Sequence, residues 1–256
     1  MSATTREVLI TGATGTLGTD VVAASLAAGH RVRALSRSQR TDDTGAQWRQ
    51  GDLLTGAGID AAVEGVDVVV NCATQPTGGK DVTSMQNLAA AARRAGVGHI
   101  VHISIVGIDR IPLPYYRTKL RAEHALEDSV VGHTIVRATQ FHDLIATTFS
   151  AQKYFPMLFA LSGVRFQPID TRDVAARLVD LADGDATGRV ADIGGPTVHT
   201  HAELGRMYLA AHKGRRPVLP VPVPGRIAAG FRSGANLAPD NPVGTVGFAE
   251  YLERTQ

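Results

Sequence analysis

The chain has 256 residues, enough for one large α/β domain or for one domain with a small appendage. Its 26 Lys and Arg against 24 Asp and Glu leave a formal net charge of +2, with basic residues adjacent only at short pairs such as Arg93–Arg94 and Arg215–Arg216, which argues against a nucleic-acid surface. No apolar run approaches the roughly 20 residues of a membrane span, the start MSATTREV lacks the apolar core of a signal peptide, and the single Cys72 cannot form an internal disulfide, so a soluble cytoplasmic protein with neither nucleic-acid nor membrane partner is expected.

In chain order, Val8, Leu9 and Ile10 read as the end of a short buried strand. Gly12, Gly15 and Gly18 then recur every three residues, before an Ala-rich amphipathic run to Gly29. Strand, glycine turn and helix form the arrangement that holds a dinucleotide pyrophosphate on a helix N-terminus. Gly12 can supply the tight turn, Gly15 leaves the backbone N–H groups open to phosphate, and Gly18 permits close helix–strand packing. The surrounding Thr11, Thr14, Thr16 and Leu17 belong to the same expected site. The plainer alternative is a Gly-rich structural turn.

Val32 and Leu35 suggest a second strand, closed by Ser36 and Arg37. An acidic residue about 20 positions past the glycines would bind the ribose 2′-OH of NAD; that count lands on Ser36, and from there no Asp or Glu occurs until Asp42. Arg37 would instead pair with a 2′-phosphate, with Ser36 and Arg40 assisting, which favours NADP(H) over NAD(H). A solvated loop arginine is the alternative. Residues 46–53 read as a third strand and turn, with Asp52 and Leu53 where an adenine would rest, and a short helix is expected at 59–64.

The run Val66 to Thr74, VDVVVNCAT, has the β-branched character of a parallel strand buried on both faces. Its end, with Cys72, Ala73 and Thr74, falls at the carboxyl edge of the sheet, where ligands bind. Cys72 itself reads as a small packed side chain more than a nucleophile. A loop follows at 75–80, in which Thr77, Gly78 and Lys80 lack the spacing of a Walker phosphate loop. A helix at 81–95 ends at Gly96, and residues 98–108 read as a fifth strand and its exit.

The second half repeats the alternation more loosely, with helices expected at 114–128, 141–149 and 171–182 and a strand at 133–139. A helix at 200–212 opens with a Thr200–Glu203 capping box, which accounts for the His199 and His201 pair without a metal. Residues 215–225 are Pro-rich and extended. The last 30 residues read as irregular apart from an amphipathic GFAEYLE segment. Strands alternating with helices at this spacing predict a doubly wound parallel sheet.

Tyr115 and Lys119 lie four apart on one expected helix and share a face. A phenol, with a pKa of about 10, becomes a usable acid when an ammonium group favours its phenolate. Ser104, at the end of the fifth strand, can donate to the same carbonyl oxygen. Tyr116, three before Lys119, competes for the tyrosine role.

With TGATGTLG, GDL, NCAT, HISIVG, YYRTKLRAEHAL, RATQF, QPIDTRDVA and IGGP in order, the chain resembles the short-chain dehydrogenase/reductase superfamily, nearest its atypical NmrA-like and epimerase/dehydratase-like group. The resemblance covers roughly residues 6 to 200. It implies one NAD(P)-binding Rossmann domain over 1–256, with residues from about 141–165 and 196–256 contributing a small substrate lobe. It also implies catalytic roles for Tyr115, Lys119 and Ser104, with Lys119 also on the nicotinamide ribose. The eleven-residue gap from Ser104 to Tyr115 is short for the family. Some atypical members bind the cofactor without turning anything over.

Thr139, Gln140, Phe141 and His142 leave the sixth strand where the substrate is expected. Phe155–Leu161, with Phe141, Phe149 and Tyr154, reads as a pocket for a flat apolar molecule or as core. The sequence thus points to an NADP(H)-dependent reductase of a small hydrophobic carbonyl or quinone-like compound, in secondary metabolism on one reading. The alternatives are an NADP(H)-sensing regulator, or an epimerase or dehydratase with tightly held cofactor. A homodimer is left open.

Overall fold

A computed structural model describes residues 5–41, 44–75 and 79–255. Met1–Thr4 of the start, Asp42 and the Thr77–Gly78 part of the loop before Lys80 lie outside them. Strand β1 (Glu7–Thr11) enters α1 (Thr16–Ala27) through the glycine turn, and β2 (Arg31–Ser36) and β3 (Gln47–Gln50) follow. Next come α2 (Ile59–Val63), β4 (Val68–Asn71), α3 (Lys80–Ala95), β5 (His99–Ile105), α4 (Pro114–Glu127) and β6 (His133–Ala138).

The remainder holds α5 (His142–Ser150), β7 (Leu158–Leu161), β8 (Arg165–Phe166), α6 (Thr171–Asp183) and β9 (Gly188–Arg189). Then follow β10 (His199–Thr200), α7 (His201–Ala211), β11 (Val218–Val221), α8 (Arg226–Arg232) and α9 (Phe248–Arg254). Helix α9 falls on the amphipathic GFAEYLE segment, whereas α8 occupies a stretch of the tail that reads as irregular in sequence. Each has only seven residues, too few to show a helical repeat.

Seven strands form one parallel sheet in the order β3-β2-β1-β4-β5-β6-β9, a Rossmann-type α/β fold. The order reverses between β1 and β4, the switch point at which such sheets bind ligands. β1 and β4 are buried along their whole length, as central parallel strands must be, whereas β3 is mostly exposed at the edge. β4 is shorter than its apolar run suggests. After Asn71 the chain leaves the ladder, with Cys72 N donating to Thr11 O and Ala73 N to the Asn71 side chain.

The chain divides into two compact units. The first takes residues 1–104, 117–136 and 174–190 and contains nearly all of the sheet. One layer of its core is Leu9, Val69, Leu88, Ile100 and Leu126, packed between sheet and helices. The second takes residues 105–116, 137–173 and 191–256. Its core gathers Phe149, Leu158, Leu204, Tyr208 and Phe248. In it β7 and β11 make a two-stranded parallel sheet, Phe159 beside Leu219, and β8 and β10 an antiparallel pair.

Candidate cofactor groove and catalytic side chains

The glycine turn is shaped by contacts that exclude side chains. Gly12 has φ +66, and a Cβ there would lie 2.7 Å from Ala73 N; a Cβ on Gly18 would lie 2.0 Å from Gly12 O. The β1–α1 turn is thereby pressed against the exit of β4. Gly15 differs: its φ of −84 and ψ of 168 suit any residue, and a Cβ would meet nothing nearer than Gly12 O at 3.3 Å. Its bareness serves the space in front of it.

That space is a groove of about 230 Å³ in the first unit. Gly12, Thr14 and Gly15 line it from the turn, Ser36 and Arg37 from the end of β2, Asp52 and Leu53 from the loop after β3, and Cys72, Ala73 and Thr74 from the exit of β4. Leu35, Gly51 and Gln75, not singled out in the sequence, complete it. Thr16 opens α1 and is exposed, while Thr11 and Leu17 are buried behind the groove. Thr11 Oγ1 donates to Asn71 Oδ1 and so braces β1 against β4. Asp52 accepts from Leu54 N at 2.9 Å, and Arg37 is exposed. Burial pushes the Cys72 thiol up to about 12, so the groove presents a neutral sulfur there.

These features fit a dinucleotide. First-turn N–H groups of α1 lack intrahelical partners, the phosphate approach is bare, and among the described residues Ser36 and Arg37, not a carboxylate, line the groove from the end of β2.

Asp81, on the first turn of α3, was missed by sequence reading. Its carboxylate accepts from Thr74 Oγ1 at 2.9 Å and from Gln75 N, fixing the groove wall. An Asp early in a helix after a Thr-containing loop was the available signal.

Ser104 and Lys119 are both buried in the first unit. Lys119 Nζ donates to Ile103 O at 3.4 Å. Desolvation lowers its pKa, while the charges of Asp81 and Glu123 act to keep the ammonium. Ser104 Oγ has no hydrogen-bond partner among the described residues. His102, also missed, is buried beside them with Nδ1 3.2 Å from Asn71 Nδ2; burial and Lys119 hold it well below the usual histidine range, hence neutral.

Tyr115 sits one turn before Lys119 on α4 and is half-buried. Tyr116 is buried, its ring centroid 6.5 Å from that of Phe231 and its hydroxyl beside the Gln140 amide. Burial pushes that phenol up to about 12. In the same unit Thr139 and Gln140 are buried, Thr139 Oγ1 donating to Gln167 O, and Phe141 caps α5. His142 is packed inside: its ring stacks on Tyr251 at 5.1 Å, Nε2 donates to Val246 O at 3.0 Å, and burial lowers its pKa. Phe149 is core, whereas Tyr154, Phe155 and Phe159 are exposed. Asn236, unremarked in sequence, is fully buried and donates to Gln140 Oε1 and Arg165 O.

Residues 12–185 match the family described as NAD(P)H-binding, and the chain belongs to that family. A relative from Streptomyces griseus, the (4-alkanoyl-5-oxo-2,5-dihydrofuran-3-yl)methyl phosphate reductase, is 32% identical over 203 residues, covering 77% of this chain and 70% of its own length. The divinyl chlorophyllide a 8-vinyl-reductase of Zea mays is 30% identical over 82% of this chain; this chain spans 60% of its length, as with other curated relatives of which it covers little more than half. Among solved structures, the NADPH-dependent quinone oxidoreductase of Escherichia coli complexed with NADPH is similar with a TM-score of 0.82 at 19% identity, over 97% of this chain and 99% of that one. The Citrobacter sp. triphenylmethane reductase complexed with NADP(H) gives 0.73 at 18%, over 96% and 94%. These structural likenesses establish the fold.

Proposed function

We propose that the protein is an NADPH-preferring reductase of a small, flat, apolar acceptor with a polarised carbonyl, of the enone or quinone type. The observation that carries this reading is the pairing of a bare, Arg37-bearing dinucleotide groove with a buried Lys119 and an unpartnered Ser104 hydroxyl in the same unit. The names of the curated relatives, several of them reductases, support the same reaction class.

When bound, the reduced nicotinamide supplies a hydride to the acceptor carbon. Tyr115 donates its hydroxyl proton to the acceptor oxygen, and the Ser104 hydroxyl donates a hydrogen bond to that oxygen. The Lys119 ammonium favours the tyrosinate left behind. Arg37 and Ser36 hold the 2′-phosphate that distinguishes NADPH from NADH.

Titration with NADPH and NADH, followed by nicotinamide fluorescence, tests the cofactor. NADPH should bind more tightly, and Arg37→Ala should weaken NADPH selectively. Absence of binding by either nucleotide would overturn the reading. For the chemistry, Tyr115→Phe should lose about 10²- to 10⁴-fold in turnover of a quinone acceptor with NADPH affinity unchanged. A sensor would be indifferent to that substitution, and an epimerase would consume no NADPH.

A further inference from the structure

The second unit carries a surface whose composition departs from the rest of the chain. Its small β7–β11 sheet packs one face inward, with Leu158 and Val218 in the core. The other face places Phe159 next to Leu219, and both are exposed. Phe155 meets Phe159 edge to face at 5.9 Å, and Tyr154 beside it is 87% exposed with the Lys153 ammonium 4.9 Å above its ring. Beyond β11 the exposed side continues through Val223.

The two sequence stretches that build this face are basic. Residues 144–169 and 204–239, which supply both strands and their flanks, contain eight Lys and Arg and no Asp or Glu, although the whole chain carries only +2. Arg216 joins the two stretches, donating from Nη1 to Gln152 O at 2.6 Å and to Phe155 O at 3.0 Å. Arg216 also lines, with Arg206 and Arg215, a shallow groove of about 380 Å³ at the start of β11.

We propose that this face docks the protein onto an anionic lipid bilayer. Exposed aromatic and aliphatic side chains flanked by an excess of cations, with exposed Glu203 beside Arg206 as a nearby carboxylate, complement a surface that is negatively charged at its headgroups and apolar beneath. Aliphatic Leu219 and Val223 offer nothing to phosphates or to stacked bases, which sets a bilayer above a nucleic acid as the occupant. The sequence hides this surface because its residues come from two segments some 60 positions apart, each too short to register as a basic stripe or an apolar run. An apolar acceptor would dissolve in the same bilayer, yet the docking surface stands whether or not such an acceptor is the substrate.

Co-sedimentation with vesicles of phosphatidylglycerol and phosphatidylcholine, against phosphatidylcholine alone, tests the assignment. The full chain should pellet with the anionic vesicles at low salt, remain in solution with the neutral ones, and be released by 0.5 M salt, which shortens the Debye length about threefold relative to 0.05 M. Arg215→Glu should weaken the anionic partition by about tenfold or more. Phe155→Ser with Leu219→Ser should lose it too, with the melting temperature and NADPH titration reporting the fold. No pelleting with phosphatidylglycerol, equal pelleting with neutral vesicles, or release by duplex DNA that binds the serine variant as tightly as the wild type would each overturn the proposal. The wild-type comparisons decide it even if a variant fails to fold.

Discussion

A methyl group on Gly18 would stand 2.0 Å from the Gly12 carbonyl oxygen, whereas one on Gly15 would come no nearer to the protein than that oxygen at 3.3 Å and would otherwise face the groove. The two glycines of one motif therefore have separable duties. Gly18→Ala should destabilise the fold by about 1–3 kcal/mol in denaturant titration, because backbone has to move. Gly15→Ala should keep wild-type stability and weaken NADPH binding by tenfold or more, about 1.4 kcal/mol. A Gly15→Ala protein that binds NADPH normally would remove the phosphate from this turn. The adjacent tyrosines separate in the same way. Tyr116 holds a buried hydroxyl beside Gln140, so Tyr116→Phe should cost about 1 kcal/mol of stability with turnover largely kept. Loss of turnover in Tyr116→Phe and not in Tyr115→Phe would exchange their roles.

At the scale of elements, α7 begins with a capping box: Glu203 N donates to Thr200 Oγ1 at 3.2 Å, and Thr200 N to Glu203 Oε2 at 2.7 Å. Its first residue, His201, is buried between Phe149 and Phe166 and accepts from Leu161 N at 2.8 Å, which requires an unprotonated Nδ1. Burial pulls its pKa down to about 4, so between roughly pH 6.5 and 4 the unfolded chain binds a proton that the folded chain refuses. Stability should fall as pH drops through that window, by up to about 3 kcal/mol from this residue, and level off below it. His102, His99 and His142 are shifted the same way and add to the acid limb. His201→Gln should flatten part of that limb in melts between pH 7 and 4; an unchanged pH slope would mean that His201 is protonated in the fold. The capping box was legible because its signal lies within four residues, and so was the parallel sheet, because its buried strands are short β-branched runs. The role of His201 was not, since Phe149, Leu161 and Phe166 reach it from 35 to 52 positions away. Asn236 was hidden for the same reason, as its partners Gln140 and Arg165 lie far back in the chain.

For the whole molecule, the boundaries between the two compact units fall inside regular elements. The chain passes from one to the other within β5, within α4, within β6 and within α6; only the passage after Val190 lies outside an element. A strand or helix melts as a hydrogen-bonded whole, because breaking one turn or one ladder step exposes its neighbours. With four such elements in common and no linker at those points, neither unit should lose its structure while the other keeps it. Calorimetry should therefore show one transition, with calorimetric and van't Hoff enthalpies in agreement. NADPH, held by a groove of the first unit alone, should move that entire transition: at 100 times its dissociation constant it contributes about 2.7 kcal/mol, or roughly 5–10 °C for a chain of this length. Two transitions, of which NADPH shifts only one, would show that the shared strands and helices fray at the unit boundaries and that groove and small sheet fold as separate bodies.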